Sequence, residues 1–417
     1  MSFGELLLSL MREQDVSFRE LARKAHCNHS YLSKLSRNEH TPSERIAQNL
    51  DRALNANGRL AALAPDEPKK RPKALSDLLP NLEEWEQTSE LLRRTFLKRG
   101  LSAIALPAVG LDELRHIAAA LQNARRYADA EVVSYFRRQL DDCAKRDQVY
   151  GPKQSIPISL GLVAAIEEIA AEAKTDVRRS LFQVGAQVAE FIGWLYRDAT
   201  MPDLANYWRD RAVEWAQASR DLPMQGYVLL KKSQAAWDDR NAVRMLTLAE
   251  ACQDGPWELP LRVQAEAVQQ EARGRAMLND DPSLIEPRLK RARELLAQDR
   301  ETTGLAQHYN EATFELQIAI CYCEAGDVER ACEMYSKWLL PKFFSRRDYG
   351  YFLALKSNVD LKMNAPSRAA STALEALAVA RETNSARTHQ EVLRLAQELR
   401  PWREDGKVRE LYFSIIS

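Results

Sequence analysis

The strongest constraint on how this chain folds is a turn that returns at a regular interval. Between long stretches of helix-forming residues, breaks fall at Asp198–Pro202, Asp238–Asn241, Asn279–Pro282, Ala325–Asp327 and Asn364–Pro366. A spacing of roughly 40 residues is that of a solenoid of helical hairpins, in which each hairpin buries its apolar face by stacking on the next. With 15 Gly and 17 Pro in 417 residues, and Ala, Leu, Arg and Glu abundant, the chain is expected to be all-α. Neither G-x-x-x-x-G-K-[ST] nor G-x-G-x-x-G occurs, which excludes nucleotide enzymes built on the common phosphate-cradling loops.

The internal pattern agrees with the spacing. In Phe314–Trp338, Ile318, Ala319 and Tyr322 share one face of a first helix, Gly326 makes the turn, and Ala331 and Tyr335 face back from a second. Small residues let the two helices approach, and the tyrosines fill the gap to the next hairpin. Ile192, Gly193 and Tyr196 with Ala205 and Ala212 repeat the arrangement, and Ser357, Ala369 and Ala376 make a looser copy. These positions resemble the tetratricopeptide pattern, so residues 111–417 are read as a tetratricopeptide-like sensor and oligomerisation domain.

Residues 1–64 are of a different kind, read as a module of five short helices. Phe3–Gln14 carries a stripe of Phe3, Leu6, Leu7, Leu10 and Met11. Ser17 caps Phe18–Ala25, with Glu20 completing a capping box. Asn28 caps His29–Arg37, which buries Leu32 and Leu35, and a helix beginning at Pro42-Ser43-Glu44 buries Ile46, Leu50 and Leu54. Gly58 and Pro65 close the module. Residues 65–80, with the basic run Lys69–Lys73, are a charged linker, and 81–110 a connecting or dimerisation helix. Lys+Arg and Asp+Glu both total 59, yet residues 1–75 hold 13 basic against 9 acidic side chains, a net +4 that leaves −4 for the rest. A small basic module joined to a larger acidic one points to an anionic partner for the first.

Ser17-Phe18-Arg19-Glu20-Leu21-Ala22, then Tyr31-Leu32-Ser33-Lys34-Leu35, then Pro42 and Leu50, resemble the Cro/repressor-type helix-turn-helix. The resemblance implies that the third helix enters the major groove of double-stranded DNA. His29, Ser30, Ser33 and Lys34 then reach base edges, while Ser17, Arg19, Arg37, Asn38 and Thr41 lie on phosphate. Phe18 stands where many members carry a phosphate-binding Gln, and Asn38 replaces a helix-ending Gly while keeping access to the left-handed conformation. A net +4 gives a modest grip, so a homodimer on an inverted-repeat operator is expected.

The whole plan is similar to a large group of actinobacterial regulators, and more distantly to the peptide-sensing quorum regulators of Gram-positive bacteria. That likeness implies a transcription factor whose repeats sense a peptide or small molecule. Gln187, Trp194 and Arg197 in one hairpin, Tyr227, Gln234 and Trp237 in the next, and Tyr351 and Asn358 in a later one are expected to line a concave groove. Amides bond an extended backbone, aromatics supply apolar pockets, and an Arg takes a carboxylate. The alternative is an interaction scaffold whose repeats hold a partner protein such as an anti-repressor.

Other classes find little support. No H-E-x-x-H, G-x-S-x-G or paired Cys/His nucleophile is present, so neither an enzyme nor a cofactor is expected. His26, Cys27 and His29 lack the further ligands a metal needs. The six cysteines, none in C-x-x-C, read as buried small hydrophobes of a reducing compartment. No apolar run is read as reaching the ~18 residues of a membrane span. Arg93-Arg94 is read as part of an internal helix rather than an export signal, and the protein as cytoplasmic.

Overall fold

The computed structural model describes residues 3–14, 16–25, 29–38, 40, 42, 44–63, 111–300 and 304–416, with backbone alone at 23, 29, 30, 44, 45, 111 and 114. The expected linker 65–80 and connecting helix 81–110 lie outside the described residues, as do His26, Cys27, Asn28 and Thr41. The chain divides into two compact units, Met1–Leu82 and Glu83–Ser417. Every regular element among the described residues is helical.

In the first unit, α1 (Phe3–Glu13), α2 (Phe18–Lys24), α3 (His29–Ser36) and α4 (Glu44–Ala53) surround a core of Leu7, Leu21, Leu32, Leu35, Leu50 and Leu54, all fully buried. Ser17 Oγ accepts the Glu20 amide at 3.3 Å and starts α2. Asn38 ends the segment after α3 with a φ of 57°. The expected fifth helix is only a single 3-10 turn, Ala61–Leu63. Left-handed Asn55, Asn57 and Gly58 break the chain after α4. The Asp51 carboxylate then gathers the amides of Gly58 (2.7 Å), Leu60 (2.8 Å) and Ala61 (3.2 Å), which holds the segment as a loop.

The second unit opens with α5 (Leu111–Gln122), the short α6 (Ala124–Tyr127) and a long pair, α7 (Ala130–Tyr150) and α8 (Pro152–Glu172). Hairpins follow: α9 (Thr175–Asp198) with α10 (Pro202–Ser219), α11 (Leu222–Ala236) with α12 (Ala242–Asp254), and α13 (Leu261–Met277) with α14 (Pro282–Gln298). The series ends with α15 (Glu311–Glu324) and α16 (Val328–Trp338), α17 (Arg346–Lys362) and α18 (Pro366–Glu382), and α19 (Ala386–Glu398) with α20 (Gly406–Ile416). The architecture is an all-helical array of packed helix pairs, consistent with a solenoid.

Each of the five breaks read from the sequence holds one left-handed residue: Thr200 (φ 57°), Arg240 (54°), Asn279 (57°), Gly326 (89°) and Asn364 (54°). One such residue reverses the chain within a few positions. The return helix is then started by Pro202, Pro282 or Pro366 in its first turn, or by a side-chain cap from Asn241, Asp281 or Asp327. The small residues Ala205, Ala212, Ala319, Ala331, Ala369 and Ala376 are buried between paired helices.

First helices pack on first helices in the order α9, α11, α13, α15, α17 and α19, and α19 returns to α9 while α17 meets α7. The array therefore closes on itself around an interior. Contrary to the sequence reading, α8 is long and apolar enough to cross a membrane by length and composition. Half of its most apolar stretch (50%) is buried inside the unit, where α8 packs on α7 and α9.

Candidate functional site

Two places were marked by the sequence, one in each unit. In the first unit, the side chains of Ser17 and Arg19 at the start of α2, and of Lys34, Arg37 and Asn38 on and after α3, are exposed. Ser33 is half-buried, its carbonyl accepting from Arg37 Nε at 3.2 Å and from Ser36 Oγ at 2.8 Å. Asn38 is more than a helix stop, because its Oδ1 accepts the Gly4 amide at 2.9 Å and ties α1 to the end of α3. Phe18 packs on the leucine core, which accounts for an apolar residue at the head of α2. His29 and Ser30 fall on α3 by their backbone, and Thr41 lies outside the described residues. The exposed side chains of this face are polar or basic, with no acid among those named.

In the second unit most of the expected groove residues take part in polar clusters. Trp194 (α9) donates its indole N–H to Asp147 Oδ2 at 3.2 Å, and Arg387 lies over its ring at 4.8 Å. Arg197 is buried and holds Asp238 with both arms of its fork, Nε to Oδ2 at 2.5 Å and Nη2 to Oδ1 at 2.8 Å. Its Nη2 also donates to the Gln234 carbonyl at 2.8 Å. Burial alone would raise the Asp238 carboxyl, but Arg197 holds it below its ordinary value. Trp237 donates to Glu324 Oε1 at 3.4 Å with Arg240 and Arg273 over its ring, and Tyr351 lies under Arg387 at 3.7 Å.

Tyr227 and Gln234 belong to an adjoining cluster. Gln234 Nε2 donates to Glu266 Oε1 at 2.5 Å, and its own oxygen accepts from Lys231 Nζ at 3.2 Å. Lys231 sits over the Tyr227 ring at 4.7 Å, and His308 Nε2 lies 3.1 Å from Glu266. Burial would raise the Glu266 carboxyl, yet Lys231 and His308 hold it down at about 2. For Lys231 itself, burial outweighs Glu266 and lowers its pKa. Asn358 is half-buried and bonds the Ala354 carbonyl of its own helix at 3.3 Å. Gln187 is half-buried on α9. Gln234 thus spends its amide on Glu266 and Lys231, and Arg197 spends its fork on Asp238.

Sequence reasoning missed Arg209, Lys231, Glu266, Arg273, His308, Arg347 and Arg387. A signal existed for some of them. Arg209 stands on the stripe Ala205, Ala212 and Ala216, a charge among alanines at packing positions. On α13, Glu266, Gln269, Gln270 and Arg273 recur at helical spacing and are all buried, a polar face turned inward.

Two lesser features add no site. His116, Asp129 and Glu131 lie close enough to share a metal, but they are not enclosed, and Asp129 Oδ1 already caps α7 through the Glu131 and Val132 amides. Cys143, Cys252, Cys321 and Cys323 are buried free thiols, and burial raises the pKa of each, to about 12 for Cys252. The second unit is thus an all-helical array of stacked hairpins whose largely apolar core also holds buried charges. Compared with known proteins, the chain matches no family model and no curated protein.

Proposed function

We propose that this protein is a cytoplasmic, homodimeric, sequence-specific DNA-binding regulator of transcription, resembling the Cro/repressor type in residues 1–64, whose tetratricopeptide-like repeats dimerise and sense an effector. The observation that carries the reading is the exposed face of the first unit. Ser17 and Arg19 at the start of one helix, and Lys34 and Arg37 on and just after the next, offer donors to phosphate and base edges on consecutive short helices over a complete leucine core. The interior of the second unit, closed and lined by charges, favours a small molecule over an extended peptide as effector.

The test is selection of bound sequences from random duplex DNA, followed by binding of the selected site. An inverted repeat is expected. Ser33→Ala with Lys34→Ala is expected to weaken that binding by about 1–3 kcal/mol per lost base contact without lowering the melting temperature. Full affinity in the double variant places the recognition helix elsewhere. The second reading, a scaffold for a partner protein, is favoured by the exposed apolar side chains Met201, Leu204 and Tyr207 around the start of α10 (47%, 38% and 59% exposed). Failure to enrich any DNA sequence moves the conclusion to that reading.

A further inference from the structure

The interior of the second unit holds arginines that the protein itself does not satisfy. Arg209 is 1% exposed, its Nε has no acceptor, and among the described residues no carboxylate lies within ion-pairing distance of it. It reaches its place across α9 because residue 193 is glycine, where a Cβ would meet Arg209 Cγ at 3.0 Å and the Ala205 carbonyl at 3.1 Å. The charges acting on it are those of Arg197, Glu190 and Asp238, and Asp238 is already closed on Arg197. Burial, and after it the Arg197 charge, push the Arg209 pKa down to about 10, so it remains a cation at neutral pH.

A second arginine repeats the situation from another helix. Arg273 is 5% exposed and donates from Nη1 to Gln317 Oε1 at 3.3 Å, while its Nε and Nη2 have no acceptor. Glu324, a carboxylate acting on it, accepts the Trp237 indole N–H instead. Asp238 is among the charges acting on both Arg209 and Tyr351, and Tyr351 is among those acting on Arg273. A buried guanidinium without an anion is costly, and an aliphatic side chain of the same volume avoids that cost. Its planar fork of donors matches the paired oxygens of a carboxylate or phosphate.

We propose that the repeat interior binds a small organic anion, its carboxylate or phosphate oxygens taken by Arg209, with Arg273 as a second contact. This rests on reading the interior as the effector site and names the chemistry the effector carries.

The test uses the full chain, with inorganic phosphate or succinate titrated against chloride at constant ionic strength, and thermal unfolding and tryptophan fluorescence as readouts. Phosphate or succinate is expected to raise the melting temperature above the chloride control. The stronger of the two responses identifies a phosphate or a carboxylate ligand. Arg209→Met is expected to abolish the shift. Arg209→Lys, which keeps the charge without the fork and serves if the methionine variant does not fold, is expected to raise the half-saturating concentration at least tenfold. Arg273→Met is expected to diminish the shift. No shift beyond chloride overturns the proposal, and so does a shift kept by the Arg209 variants, which belongs to the basic face of the first unit. DNA binding enters none of these readouts, so its failure leaves the result standing.

Discussion

Arg197 and Asp238 show what a buried charge does at the scale of single residues. Arg197 is buried while the Asp238 side chain is 23% exposed, so removing the aspartate strands the arginine away from water. Asp238→Asn is expected to cost about 3–5 kcal/mol in denaturant unfolding, Arg197→Met less because the carboxylate it frees is partly exposed, and the double variant less than the two together. Glu266 gives a pH dependence. Its carboxyl lies near 2 in the folded chain against an ordinary value of 4.5, so its ionised form stabilises the fold. That contribution is complete above about pH 4.5 and fades as pH falls toward 2. Glu266→Gln is therefore expected to be less stable than the natural chain at pH 7, and acid titration of both should show the gap shrinking below pH 4.5. A gap that stays constant to pH 2 contradicts the assignment. At this scale the sequence singled out Trp194, Arg197, Trp237 and Tyr351 as residues lining a groove. It could not show that their partners are Asp147, Asp238, Glu324 and Arg387, which lie on other hairpins.

Helices and turns were far more legible. The start of α2 at Ser17, the leucine stripe of α3 and the five hairpin turns rest on local chemistry: a cap oxygen, apolar residues three and four apart, a residue able to turn left. The failure at Ala61–Leu63 is also local in origin, since Asp51 draws three amides into a loop that helical periodicity does not register. One turn is imperfect. Thr200 is exposed and β-branched yet holds a φ of 57°. Replacing it by glycine is expected to stabilise the chain by about 1 kcal/mol, because the left-handed conformation then carries no Cβ penalty. Differential scanning calorimetry checks the sign, and a lower melting temperature shows that the threonine side chain contributes more than its backbone strain costs.

Closure belongs to the whole second unit. The amide side chain of Asn384 bonds the Tyr150 carbonyl at 3.4 Å, Ser385 Oγ donates to Asp198 at 3.0 Å, and Arg240 pairs with Glu391 at 2.7 Å. Arg347 pairs with both Asp147 and Asp198. The seam is tightest at Gly151, with a φ of 75° and a Cβ position 2.1 Å from the Thr383 carbonyl oxygen. Gly151→Ala is expected to cost about 3 kcal/mol or more, since both the backbone and the seam must shift. The seam is also expected to lose its hydrogen-exchange protection first around Tyr150 and Thr383. Ordinary stability in that variant means that the ends of the array separate without cost.

Local order in this protein follows from its sequence alone: which segments are helical, where they reverse, which faces are apolar, and that a basic module precedes an acidic array. Those properties depend on residues a few positions apart, and near neighbours in the chain stay near neighbours in any fold. The tertiary structure alone decided which charges meet. Arg347 reaches an aspartate carbonyl 200 residues earlier, and Arg240 a glutamate 151 residues later, only because the array curves until its last hairpins touch its first. Curvature is the sum of small rotations between successive hairpins, and no single turn or stripe records that sum. The same closure brought these charges together, and left Arg209 and Arg273 short of acceptors.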